Sequence, residues 1–172
     1  DATAGANGGP AGAISLQAPD VQNSGTLSAT NLAANSFPES GSLAAENGRI
    51  SIQADTFTQT STGLLDVSAV AMKAGTIDIA AAQAFTLSGR IFANGVVTDP
   101  SQIVANALGG TIQLQTTTRA ELTTAVLDAS GEGGGGRIYI QADGVPAPMD
   151  NTSNNPAQAP IKGAVLLSTN TV

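Results

Sequence analysis

Two aspartates stand at equivalent places in this sequence and could supply acid–base chemistry. Asp66 and Asp128 each follow a leucine in similar short apolar stretches. Paired carboxylates are the groups that glycoside hydrolases use, one as acid and the other as base or nucleophile. The repeat described below places the two aspartates two repeats apart, about 10 Å on the ordinary interstrand spacing. That lies just beyond the roughly 6.5–9.5 Å that separates the carboxylates of inverting glycosidases.

The residues around these carboxylates argue against catalysis. The chain has no histidine, cysteine or tryptophan, which excludes His-dependent triads, thiol nucleophiles and zinc centres. Phe92 occupies the same column between the two aspartates, and the arginines at positions 49, 90, 119 and 137 do not line up with it. We therefore expect no catalytic residue, no cofactor and no metal site. A polysaccharide lyase-like or hydrolase-like β-helix stays open as an alternative.

A second set of polar residues recurs at one position of the repeat. Four of its five members are glutamine: Gln17, Gln53, Ala80, Gln115 and Gln141. Stacked amides at the interstrand spacing can hydrogen-bond along the column, so we interpret the set as a stabilising ladder. A sugar-binding polar strip is the functional alternative.

Threonine and glycine runs suggest two further activities. The threonines at 58, 60, 62 and 116–118 are similar to the flat threonine arrays of ice-binding solenoids, although residues 21–24 and 84–88 interrupt them. Ice binding is kept as a second alternative. The glycine run 133–136 is not followed by Gly-Lys-Ser/Thr, so it predicts a corner and not a phosphate loop.

One loop carries oxygen ligands and a modification sequence. Asp143, Asp150 and Asn151 could weakly ligate calcium, but such sites need several converging oxygens. Asn151-Thr-Ser153 is a glycosylation sequon, and such triplets arise often by chance. We assign neither site.

Charge and hydropathy exclude two classes of partner. Six basic residues against thirteen acidic ones give a net charge of −7, which would repel nucleic acid phosphates. No run of 18 apolar residues is present, so we expect no membrane insertion.

The elements that position these residues are set by an internal repeat. Apolar residues alternate with polar ones after a glycine, with the period of two that is typical of a strand. The motif occurs five times: Gly12-Ala-Ile14-Ser-Leu16, Gly48-Arg-Ile50-Ser-Ile52, Gly75-Thr-Ile77-Asp-Ile79, Gly110-Thr-Ile112-Gln-Leu114 and Gly136-Arg-Ile138-Tyr-Ile140. The leading glycine marks a corner where φ is positive or where a side chain would clash.

Two more apolar positions follow each motif at near-constant distances. One set is Val21, Phe57, Phe85 and Leu122, and the other is Leu27, Leu65, Ile91 and Leu127. Three short strands per repeat without a helix predict an all-β parallel β-helix of about five to six coils. We expect residues 1–172 to form a single solenoid segment of a longer chain or fibre, with loop insertions at 30–47, 94–109 and 143–162.

The glycine-led motif resembles the shaft repeats of filamentous-haemagglutinin-type exoproteins, the two-partner-secretion adhesins. The resemblance is carried best by Gly109-Gly110-Thr-Ile112-Gln-Leu114, by Gly135-Gly136-Arg-Ile138-Tyr-Ile140-Gln-Ala142 and by Leu127-Asp-Ala-Ser-Gly131. It implies a right-handed β-helix in a bacterial protein that is secreted or held at the cell surface. It also implies cell adhesion, as in biofilms, and an outer-membrane transporter as partner during export.

These observations together predict a non-enzymatic structural and adhesive segment. The shaft must repeat in order to stack, so we expect recognition of a host-cell or matrix glycan or protein receptor in the insertions. Open strands at both ends predict end-to-end self-association or continuation by covalent neighbours.

Overall fold

The computed structural model describes residues 11–31, 47–97 and 107–142, together with the backbone of 161–168. Within these ranges the chain is all-β, with twelve strands and no helix. In chain order the strands are β1 (Ala13–Asn23), β2 (Thr26–Ser28), β3 (Arg49–Gln59), β4 (Leu64–Asp66), β5 (Ala69–Val70), β6 (Thr76–Leu87), β7 (Arg90–Phe92), β8 (Gly95–Val96), β9 (Thr111–Thr116), β10 (Arg119–Asp128), β11 (Arg137–Ala142) and β12 (Ile161–Ser168).

Ten of these strands form one nearly closed sheet, and β5 and β8 form a separate pair. The strand pairs among the described residues are parallel. On one side β1, β3, β6, β9 and β11 lie next to one another in chain order, and on another side β2, β4, β7 and β10 do the same. Each strand thus pairs with its counterpart in the neighbouring repeat.

The register of the strands confirms the predicted isoleucine column. The first isoleucine of each motif pairs with the first isoleucine of the next, in the order Ile14, Ile50, Ile77, Ile112 and Ile138. The later apolar column pairs in the same way, in the order Leu27, Leu65, Ile91 and Leu127. Slipping a strand by one residue would move its whole apolar set to the outer face, so alternation excludes such a slip.

The middle apolar column departs from the prediction at one repeat. Ala120 lies opposite Phe85, and Leu122 lies opposite Leu87. The prediction aligned Leu122 with Phe85 because both side chains are large and apolar. The strand pairing instead keeps a constant difference in residue number through the corner between β9 and β10. Thr116 pairs with Ala81 in β6, and this offset of 35 residues is the same as that between Leu122 and Leu87.

The prediction of three short strands per repeat is wrong for the first three repeats. There, the first strand and the middle apolar segment form one continuous strand: β1 and β3 have 11 residues each and β6 has 12. The backbone stays paired through the corner, with a register irregularity between Ala54 and Thr56. Only in the fourth repeat does the chain separate into β9 and β10, at Thr117 and Thr118.

The apolar columns fill the space that the sheet encloses. In the middle three repeats the isoleucines and leucines of these columns are fully buried, as are Phe57 and Phe85. At the first and fifth repeats the corresponding residues, among them Ile14 and Ile138, are only partly buried. Burial is therefore greatest in the middle of the stack.

The glycine before each motif is required by close packing between repeats. A Cβ at Gly75 would overlap the carbonyl oxygen of Gly48, and one at Gly110 would overlap that of Gly75. None of these glycines has a positive φ. Of the two explanations given above for a corner glycine, the steric one is therefore correct.

The ends of two predicted insertions lie in register with each other. Asn31, near the start of the first insertion, forms a β-bridge with Ala69. Ala69 also pairs with Gly95, near the start of the second insertion. The third connection joins β11 to β12 and so belongs to a different corner. Most of insertions 30–47 and 94–109, and residues 143–160 of the third, lie outside the described residues.

Truncation of the buried isoleucine column should cost most in the middle of the stack. We expect Ile77→Ala to lower the free energy of unfolding by about 2–5 kcal/mol, because it leaves a cavity at a fully buried site. Ile14→Ala, in the same column but partly exposed, should cost clearly less. Urea denaturation of both variants measures the difference, and equal losses would contradict the burial gradient.

A methyl group at the corner glycine should disrupt the stack. We expect Gly75→Ala to be strongly destabilising, because its Cβ would overlap the Gly48 carbonyl oxygen. Gly25→Ala is the matched control, since a Cβ there meets nothing within 4 Å. Thermal unfolding of the two variants checks this. A Gly75→Ala protein with the same melting temperature as the wild type would refute the steric requirement.

Candidate functional site

The outer face of β1, β3, β6, β9 and β11 presents side chains in three columns. Strand alternation places every second residue outward, and parallel register aligns these residues across the repeats. The column nearest the first corner contains Gln17, Gln53, Ala80, Gln115 and Gln141, paired in that order. We call it the glutamine column, and its predicted alignment is confirmed.

A groove runs along the glutamine column, where the sheet turns the first corner. Its central hollow, of about 330 Å³, is lined by Gln53, Ala54, Ala80, Ala81, Ala82, Gln115, Thr116, Thr117 and Gln141. An adjoining hollow of about 380 Å³ is lined by Gln17, Ala18, Pro19, Gln53, Ala54 and Asp55. The hollows share Gln53 and Ala54, and together they form what we call the glutamine groove. It crosses all five repeats.

The glutamine column is not a continuous hydrogen-bonded ladder. The amides of Gln17 and Gln53 are neighbours in register but do not hydrogen-bond to each other. Ala80 separates Gln53 from Gln115 by two strand spacings, about 10 Å. At the far end Tyr139 Oη donates to Gln141 Oε1 at 2.7 Å. Amide-to-amide bonding along the column therefore does not explain why glutamine recurs there.

The two aspartates singled out in the sequence lie in one column, with Phe92 between them. Asp66 Oδ1 accepts from the Ser68 backbone N–H at 2.9 Å, and Asp128 Oδ1 accepts from the Ser130 backbone N–H at 2.9 Å. Such bonds between an aspartate and the backbone two residues later stabilise turns. Both carboxylates thus help to form the corner after β4 and β10.

Asn94 connects these turns across the repeats. Its Nδ2 donates to Asp128 Oδ2 at 3.2 Å, and its backbone N–H donates to Ser68 Oγ at 3.3 Å. Sequence reasoning did not single out Asn94, Ser68 or Ser130. The repeated Asp-x-Ser spacing was the signal that could have identified them.

Three of the four arginines singled out in the sequence contact other side chains of the outer face. Arg49 pairs with Asp78 at 3.4 Å and Arg119 with Glu121 at 2.8 Å. The guanidinium of Arg90 lies 5.9 Å from the centre of the Phe92 ring, within the range of a cation–π contact.

The threonine and glycine runs serve the backbone. Thr117 and Thr118 donate to the carbonyl oxygens of Ala82 and Gln83. Thr58 lies beside Thr86, but Gln22 and Glu121 continue that column, so the threonines do not form a continuous array there. In the glycine run, Gly134 O accepts from the Gly109 backbone N–H at 2.9 Å, which is consistent with a corner.

Metal ligands and membrane spans were also sought in the described ranges. No group of three or more acidic, histidine or cysteine side chains there could hold a metal ion. No helix in the same ranges is long and apolar enough to cross a membrane. Asp143, Asp150, Asn151 and the sequon at 151–153 lie outside the described residues.

Comparisons with known proteins give no relative for this chain. No protein-family model matches it, and neither a curated protein nor a solved structure does. The outer face is therefore interpreted from its own residues.

Proposed function

We propose that the chain is a segment of a right-handed parallel β-helix of about five to six coils. We further propose that it is a structural and adhesive shaft of a secreted bacterial surface exoprotein. The observation that supports this proposal is the in-register isoleucine column, which runs through five repeats without a break. Such a stack extends by about 4.8 Å with each added repeat and so builds length from a simple unit.

A shaft of this kind needs a constant interior and tolerates variation outside. The interior column keeps isoleucine in all five repeats, while the neighbouring outward column contains Ser15, Ser51, Asp78, Gln113 and Tyr139. The carboxylates that resembled a hydrolase pair are bonded within turns. These features favour a non-enzymatic scaffold over a carbohydrate-active enzyme.

The proposed partners follow from the insertions and from the ends of the stack. The connections after Asn31 and after Val97 leave one corner two repeats apart, about 10 Å, where they could present loops to a glycan or protein receptor. The partly buried apolar residues of the first and fifth repeats favour end-to-end association. Export through an outer-membrane transporter rests on the family resemblance.

Shortening the two same-corner insertions tests whether they mediate adhesion. In the native protein that carries this chain, residues 30–47 and 94–109 are each replaced by the compact turn 68–74. We expect attachment to receptor-bearing cells or matrix to fall at least tenfold, with the melting temperature unchanged, because the turn already fits this corner between the second and third repeats.

The control replaces only the connection 143–162, which belongs to another corner, and it should retain adhesion. Unchanged attachment of the doubly shortened protein, together with a lower melting temperature, would mean that the loops only cover the shaft. That result would contradict the adhesive part of the proposal.

A further inference from the structure

We infer that the glutamine groove is a binding site for a neutral oligosaccharide. This inference rests on the proposed adhesive function and adds to it a second recognition surface, on the shaft itself. It starts from one unexplained observation: glutamine recurs at four of five outward positions, yet Gln17 and Gln53 do not bond to each other, and Ala80 interrupts the column.

The shape of the groove suits an elongated ligand. The two hollows are joined through Gln53 and Ala54 and extend from Gln17 in the first repeat to Gln141 in the fifth. Four interstrand steps correspond to roughly 19 Å. The central hollow, about 330 Å³, lies at the lower end of the volumes typical of ligand sites. It lies over Ala80, where a fifth glutamine would otherwise fill it.

The lining of the groove matches the chemistry of an uncharged sugar. The residues around the central hollow are alanine, threonine and glutamine only. Each glutamine amide offers both donors and an acceptor, as sugar hydroxyls need. The methyl groups of Ala54, Ala80 and Ala82 form an apolar floor that suits the C–H faces of pyranose rings, whereas the side chain of Ala81 is buried in the core. The lack of a charged residue around this hollow argues against an ionic ligand.

An aromatic ring stands beside the same outer face. Tyr139 is the large hydrophobic residue most exposed in the described part of the chain, at 50%. Its hydroxyl donates to Gln141, which fixes the ring next to the end of the groove. Tyrosine combines an apolar face with a polar tip, and such a ring can stack against a sugar.

The backbone around the groove disfavours an extended peptide as the occupant. A peptide that binds by strand addition needs a free sheet edge. Here β3, β6 and β9 are each paired on both sides, with β1, with one another and with β11. No strand edge is therefore free beside the groove. The hydrogen-bonding side chains that line it are neutral except for Asp55, which borders the hollow next to Gln17.

The substitution Ala80→Gln distinguishes between two roles of the glutamine column, sugar binding and stabilisation of the fold. It completes the five-residue glutamine column and at the same time fills the central hollow. If the column served stability alone, the variant would keep every outer-face function. If the groove binds sugar, the variant should lose binding while its melting temperature stays equal or rises. Thr76→Gln adds the same side chain to the same strand outside the groove and is the matched control.

The probe is a panel of neutral gluco-, galacto- and manno-oligosaccharides, with sulfated oligosaccharides and a polar peptide library as comparison. Binding to the intact chain is measured by calorimetry and by NMR. We expect at least one neutral oligosaccharide to bind, with affinity at least tenfold lower for Ala80→Gln and for Gln115→Ala and unchanged for Thr76→Gln. The bound oligosaccharide should shift the side-chain amide signals of Gln53 and Gln115.

Three results would overturn the inference: no neutral oligosaccharide binds, only sulfated sugars or peptides bind, or Ala80→Gln binds as the wild type does. The experiments distinguish a failure of the sugar-binding inference from a failure of the proposed adhesive function. Adhesion that is lost on shortening the insertions but kept in Ala80→Gln leaves the adhesive shaft standing and rejects the groove.

Discussion

The close approach of one repeat to the next at the motif glycines is the constraint on which the structure depends. The backbone N–H of Thr76 donates to Gly48 O at 3.0 Å, and that of Thr111 donates to Gly75 O at 3.0 Å. A side chain at these glycines would hold the repeats apart. The apolar columns could not then fill the interior, because packing at normal density leaves no room for a wider spacing.

This constraint divides the molecule into an invariant inside and a variable outside. In the isoleucine column each buried side chain packs against the one above and the one below, and its members match in size. The middle column is less strict, since Ala120 lies opposite Phe85. Outward positions carry no such requirement, and one outward column contains serine, aspartate, glutamine and tyrosine. Several polar residues of the described ranges are also buried, and among them Gln59 donates to the carbonyl oxygens of Gly63 and Arg90. Those bonds satisfy one backbone group in the turn that follows β3 and one in β7.

Much of the fold could be predicted because alternation and repetition are properties of the sequence itself. The five motifs predicted the isoleucine column and the parallel pairing of its strands. Leu122 was misplaced because an apolar side chain was matched by type, whereas the ladder preserves its offset and places Ala120 opposite Phe85. The merging of the first two strands was missed because residues typical of turns, Pro19 and Asp55, lie at the bends, and the sequence does not show that the backbone stays paired on either side of them.

Only part of the candidate site could be predicted from the sequence. The glutamine column could be found by alignment of the repeats, but Ala80 looked like a mere interruption of a ladder. That Ala80 opens a hollow depends on how sharply the sheet turns at the corner and on the small exposed side chain of Ala82. Neither can be deduced from the periodicity of the sequence. Conversely, Asp66 and Asp128 looked chemically promising, and only their hydrogen bonds reveal them as turn residues.

The unequal lengths of the connections have a consequence for how the chain folds. Ile50 and Ile77 are 27 residues apart and Ile112 and Ile138 are 26 apart, whereas the other two steps of the column are 36 and 35 residues. A short connection loses less entropy on closure, and of the two short ones only that between β3 and β6 also brings together Phe57 and Phe85, the two largest fully buried side chains. The β3–β6 pair is therefore the natural nucleus, and folding would propagate outward from it, one repeat at a time, in both directions.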